Sequence, residues 1–125
     1  MPYETYKLLH FLGIVLLFTA LGGVSLFAIH GGTRESNRAR ALVAVTHGVG
    51  LLVLFFGGLG LLAKLGLGHN PLAWPGWVWL KLVVWLALGG LIALPYGRPG
   101  LARRLWWALP TLGLIAAAAA IYKPF

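Results

Sequence analysis

Five residues in this apolar sequence have side chains suited to binding a metal, a cofactor or an anion: His10, His30, His47, His69 and Lys81. Glu4, Tyr6 and Arg34 are lesser candidates. Neutral imidazole is the commonest protein metal ligand. An ammonium held among apolar residues is costly and marks a functional position by default. The missing residue types narrow the chemistry further. The 125 residues carry ten Lys and Arg but only two acids, Glu4 and Glu35, and no Cys. Paired-carboxylate glycoside hydrolysis, two-metal phosphoryl transfer and acid-rich calcium sites need more carboxylates than that. Without Cys there is no disulfide, thiol nucleophile, iron–sulfur cluster or covalent haem attachment through C-x-x-C-H.

Membrane-spanning helices must position these groups. Hydrophobic types make up 60% of the chain and charged types 10%, against about 25% charged in a soluble domain. Four apolar stretches, about 8–29, 41–65, 76–94 and 105–122, each come near the ~20 residues that cross a ~30 Å hydrocarbon core. Gly31-Gly32, Gly66 to Pro71, Pro75-Gly76 and Pro95 to Gly100 punctuate the gaps. Lipid offers no water to bare backbone, and four short strands cannot close a barrel. The expected fold is therefore all-α: a single domain of four transmembrane helices over 1–125, in an antiparallel bundle with short connections. The first stretch is too long for a signal-peptide core and lacks a small-residue cleavage site, so it is expected to be the first helix.

Charge sets the expected orientation. All six arginines (34, 38, 40, 98, 103, 104) fall in the first and third connections, and the four lysines (7, 64, 81, 123) fall on the other side. The positive-inside rule then puts both termini outside, in a multi-pass protein of a bacterial cytoplasmic (inner) membrane. The net charge of +8 reads as topology and contact with anionic lipid headgroups, and not as a nucleic-acid face. Trp74, Trp77 and Trp79 at one interface and Trp106 and Trp107 at the other form an aromatic belt, while Trp85 lies deeper.

Depth sorts the candidates. His10 and Lys81 are expected at similar height in the outer half, with His30 and His69 at helix ends. At ~1.5 Å per residue, His10 and His47 come out ~20 Å apart along the membrane normal, too far to ligate one haem iron together. His47 is expected nearer His30. Trp77, Lys81 and Trp85 share a helix face at i, i+4, i+8. Lys81 then either snorkels outward past the aromatics or faces a pocket and meets an anion. His10 is either a hydrogen-bonded neutral side chain or a ligand. Small residues four apart, such as Thr19/Gly23, Ala44/Gly48 and Gly89/Ala93, with Gly57, Gly58 and Gly60 beside them, let helices approach closely within the bundle or in an oligomer. They also leave room for a flat cofactor. No inverted repeat or broken helix with facing polar groups suggests a transporter.

Lys7-Leu8-Leu9-His10 at the opening of the first helix, and Trp77-Val78-Trp79-Leu80-Lys81 at the opening of the third, resemble the small four-helix membrane proteins of the HemJ-type protoporphyrinogen oxidase family, with CopD-like and SirB-like proteins as more distant relatives. The resemblance implies haem b bound through His10, and Lys81 needed for activity and pairing with a propionate; His47 and His30 stand as alternative ligands beside that expectation. It implies oxidation of a porphyrin substrate, protoporphyrinogen, with electrons passed to a quinone-type membrane acceptor. The family's arginine near the inner end of the first helix corresponds here to Ser25, which is uncharged. The alternative is a non-enzymatic membrane subunit, or a self-associating scaffold of a larger complex.

Overall fold

The computed structural model describes residues 1–125. It is all-helical: α1 (Tyr3–Ile29), α2 (Arg40–Lys64), α3 (Gly76–Gly90), α4 (Leu94–Gly97) and α5 (Ala102–Tyr122), with 3-10 turns at Pro71–Ala73 and Pro99–Leu101. Three segments, Tyr3–Ile29, Arg40–Lys64 and Pro99–Tyr122, are long and apolar enough to cross a membrane. Only 22 of 125 residues are buried, while Leu8, Leu42, Leu86, Leu114 and Ile121 are all more than 60% exposed. Such an apolar exterior belongs to a membrane protein, since water would not tolerate it.

Two helix limits differ from the apolar pattern. α1 begins five residues early, because Tyr3 to Lys7 are amphipathic and polar but still helix-competent, with Glu4 near the positive end of the helix dipole. α3 stops at Gly90, so its 15 residues span only ~22 Å. Pro95 is the reason. It has no N–H to offer the carbonyl of Leu91, and its ring crowds that carbonyl. Leu91 accepts instead from the Leu94 N–H at 3.3 Å, and the short α4 resumes the helix.

α1 is the central helix. It packs closely along α2 and also against α5; α3 packs on α5, and the backbones of α2 and α3 lie farther apart, meeting through side chains such as Phe55 and Trp85. The close α1–α2 seam is made by glycines. A Cβ on Gly13 would collide with the backbone of Leu54; one on Gly50 would sit 2.8 Å from the Leu17 nitrogen, and one on Gly57 2.7 Å from the His10 nitrogen. Such backbone-to-backbone contact is what small residues provide where no hydrophobic force separates protein from lipid. Leu17, Leu21, Leu54, Val84, Leu88, Leu105 and Leu109 form the main core, and Leu62, Trp77, Val78 and Ala119 a second cluster towards the other end.

The arginine-bearing connections meet at one end. Asn37, buried, donates from Nδ2 to the Tyr96 hydroxyl at 2.7 Å, and its Oδ1 accepts from the Ala39 N–H at 2.9 Å. One side chain thus ties the α1–α2 connection to α4.

Candidate functional site

Where α2 and α3 stand apart, a cavity of about 530 Å³ opens, lined by all four long helices. That is within the ~300–1,000 Å³ usual for small-molecule sites. Its walls are mainly apolar, with Phe18, Phe55, Trp74, Trp77 and Trp85 among them. Its polar groups are His10, Lys7, Lys81, Lys123 and the Tyr3 hydroxyl; no carboxylate lines it.

Aromatic contacts hold the α3 wall upright. Trp85 donates its indole N–H to the Leu51 carbonyl at 3.1 Å, and its ring lies 5.0 Å from that of Phe55. Trp74 donates to the Leu67 carbonyl at 2.6 Å, which fixes the 65–75 connection at the cavity's rim. The main-chain oxygen of Phe125 accepts the Trp77 N–H at 3.1 Å, folding the 123–125 segment over the start of α3. Lys123, in the left-handed region at φ 48°, stands with Nζ 5.5 Å from the centre of the Trp77 ring, a cation–π contact.

His10 is oriented by α2. Its Nδ1 donates to the Leu54 carbonyl at 2.8 Å, and Gly57 and Gly58 leave space for it: a Cβ on Gly58 would lie 3.2 Å from the ring's Cε1. With Nδ1 engaged, the lone pair is on Nε2. That atom has no hydrogen-bond partner and is not sealed in, so it is available to a ligand from the cavity. An imidazole whose other nitrogen donates to a backbone carbonyl is the usual arrangement of a metal-bound histidine. Lys81, half-buried, lies one turn before Trp85 on the same α3 face and lines the same cavity as His10.

The other histidines are elsewhere. His10 packs at Gly57 and Leu17 at Gly50, a register that separates His10 from His47 by ~15 Å along the axis. The ~20 Å expected from the sequence assumed that α2 climbs from the level of His30 at its first residue, whereas the register puts Asn37 at that level and residues 38–39 already gain height in a turn. By the same register His47 is ~15 Å from His30 and cannot pair with it. His30 is exposed at the end of α1, and His69 is exposed in the 65–75 connection. Neither they nor His47 line the cavity. No three His, Cys, Asp or Glu side chains gather as a metal cluster. Glu4 and Arg34 are exposed and away from the cavity, and the Tyr6 ring packs on Gly60.

His47 has a structural task instead. It is buried, and Nε2 donates to the Leu88 carbonyl at 3.1 Å. Leu88 is in the last turn of α3, where carbonyls lose their intrahelical partners. His47 therefore caps the helix that Pro95 ends. His47→Ala is expected to lower stability by about 1–3 kcal/mol, the cost of an orphaned buried acceptor, with His47→Gln recovering part of it through its amide donor. Thermal melts of the three proteins in mild detergent test this; equal midpoints would remove the capping role.

The chain matches no family model, no curated protein and no solved structure. Sequence reasoning singled out His10, Lys81 and the flanking tryptophans, and the fold brings them to one cavity. It missed Lys7 and Lys123 as members. Their signal is weak, since a lysine near the end of an apolar helix is commonly an interfacial anchor.

Proposed function

We propose that this protein is a haem b- or porphyrin-binding integral membrane protein of the HemJ-like type, with His10 as axial ligand and Lys81 paired with a propionate. One observation carries the reading: a mainly apolar cavity of about 530 Å³ holds a histidine with Nδ1 engaged and Nε2 free, beside lysines and no acid. The residues fit the group. Apolar and aromatic walls suit the macrocycle, the imidazole suits the iron, and the ammonium groups suit the carboxylates. Bound haem would supply one-electron redox chemistry. The chain's own part is to orient the imidazole through Leu54, keep water from the apolar walls and neutralise the acid groups.

In this reading the chain crosses a bacterial cytoplasmic membrane four times, with both termini outside. Support comes from the arginines gathered at one end, from exposed Trp106 and Trp107 near them, and from α3 with α4 as a third apolar crossing interrupted only over residues 91–93, ahead of Pro95. Oxidation of protoporphyrinogen, with electrons leaving to a quinone, is the narrower form of the proposal and rests on the resemblance. Ser25 is buried and donates to the Leu21 carbonyl of its own helix at 2.8 Å, so no charge stands where the family has its arginine.

Titration of the detergent-solubilised protein with haemin tests the proposal. A Soret band that saturates at one haem per chain is expected; its absence would sink the reading. Complementation of a strain lacking protoporphyrinogen oxidase tests the enzymatic form. The alternative, a non-enzymatic subunit or self-associating scaffold, draws on Thr19 and Gly23, which are exposed on α1 with open space over Gly23. Co-purification from native membranes is its direct check.

A further inference from the structure

The lysines are distributed in a way that a single anionic group does not satisfy. Lys81 is half-buried inside the cavity. Lys123 stands over Trp77, one helical turn outward from Lys81 on the same α3 wall, which is ~6 Å of rise. Lys7 lines the α1 wall one turn outward from His10. Three lysines thus line one mainly apolar space at two heights, and no Asp or Glu lines it. Low-dielectric walls strengthen their mutual repulsion and their attraction for anions alike. The Trp77 ring offsets part of the cost for Lys123, and water at the mouth part of that for Lys7.

Resting on the reading above, we propose that the cavity selects a ligand with two acid groups on one apolar body. Lys81 holds the inner acid, and Lys7 and Lys123 hold the outer one at the mouth. A tetrapyrrole with two propionates has this chemistry, and so does a lipid with two phosphates. The selectivity is against the corresponding neutral body, which fits the same walls but leaves the ammonium groups unpaired.

Metal-free porphyrin separates this from iron ligation by His10. The protein in nanodiscs of zwitterionic lipid is titrated with protoporphyrin and with its dimethyl ester, and quenching of tryptophan fluorescence is followed. The diacid is expected to bind at least ~10-fold more tightly than the diester. The Lys7→Gln/Lys123→Gln double variant is expected to lose ~10-fold for the diacid and nothing for the diester. Both lysines are exposed, so their replacement costs little stability. Equal affinities for acid and ester, or a double variant that binds the diacid like the parent, would overturn the proposal. A second arm adds a two-phosphate lipid to the nanodiscs. Lysine-dependent binding of that lipid, without binding of porphyrin, upholds the two-acid site and rejects the tetrapyrrole reading. Binding of neither rejects both.

Discussion

Gly13→Ala is expected to destabilise the bundle by about 2–3 kcal/mol, although the same change in an open helix position stabilises by about 0.5–1 kcal/mol. The new methyl group would land on the backbone nitrogen and Cα of Leu54. A side chain in that place can rotate away, but the backbone of a helix does not, so α1 and α2 would have to separate along their seam. The separation would spread. Leu17 against Gly50 and His10 against Gly57 are the next contacts on either side, and the main core begins at Leu17 and Leu54. Gly48→Ala is the matched control. It lies in α2, the other helix of the seam, but nothing is within 4 Å of its would-be Cβ, so only the gain in helix propensity remains. Thermal melts in mild detergent should move in opposite directions for the two variants. A Gly13→Ala protein that melts with or above the parent would show that the helices are not in backbone contact.

His10→Gly is expected to weaken haemin binding by at least ~100-fold and to abolish the Soret band at stoichiometric haemin. Loss of an outer partner alone commonly costs ~10–100-fold in metal affinity, and here the ligand itself is removed. The stability of the apo-protein should change little by comparison. His10 is only half-buried, and the Leu54 carbonyl that it meets lies within α2, where it already faces the helical N–H of Gly58. Free imidazole should restore the band, because it can occupy the space left beside Gly57 and Gly58 and reform the bond to Leu54. In contrast, His47→Ala should keep the band while melting earlier, since His47 caps α3 and does not line the cavity. A band that survives in His10→Gly would move the ligand away from His10 and remove the basis of the proposed site.

Much of this could be read along the chain. Hydropathy located four apolar helices to within a few residues, because each residue's preference for lipid over water is its own property. The exceptions have local causes. The extra turns of α1 are polar and invisible to hydropathy, and α3 ends early because Pro95 removes a donor four residues beyond Leu91. Lys81 stood out because a charge inside an apolar helix is rare, and His10 because helix lengths set it at a similar height. His47 stood as an alternative ligand to His10. Its burial on the orphaned Leu88 carbonyl and its place outside the cavity separate the two roles, and a carbonyl's need for a donor is not written in residue type.

The sequence by itself determined that this is a helical membrane protein with its arginines in or beside two connections, almost no acids, and one lysine and one histidine inside apolar helices. Composition and periodicity suffice for that, since they report how each side chain partitions between lipid and water. The tertiary structure decided which helices touch. It closed α1 on α2 through Gly13, Gly50 and Gly57, left α2 and α3 apart as a cavity, turned the Nε2 of His10 free by engaging Nδ1 with Leu54, and brought Lys7 and Lys123 to the same mouth as Lys81. Those outcomes depend on shape and hydrogen bonding between residues more than a hundred positions apart, as with Lys7 and Lys123, and no single helix carries that information.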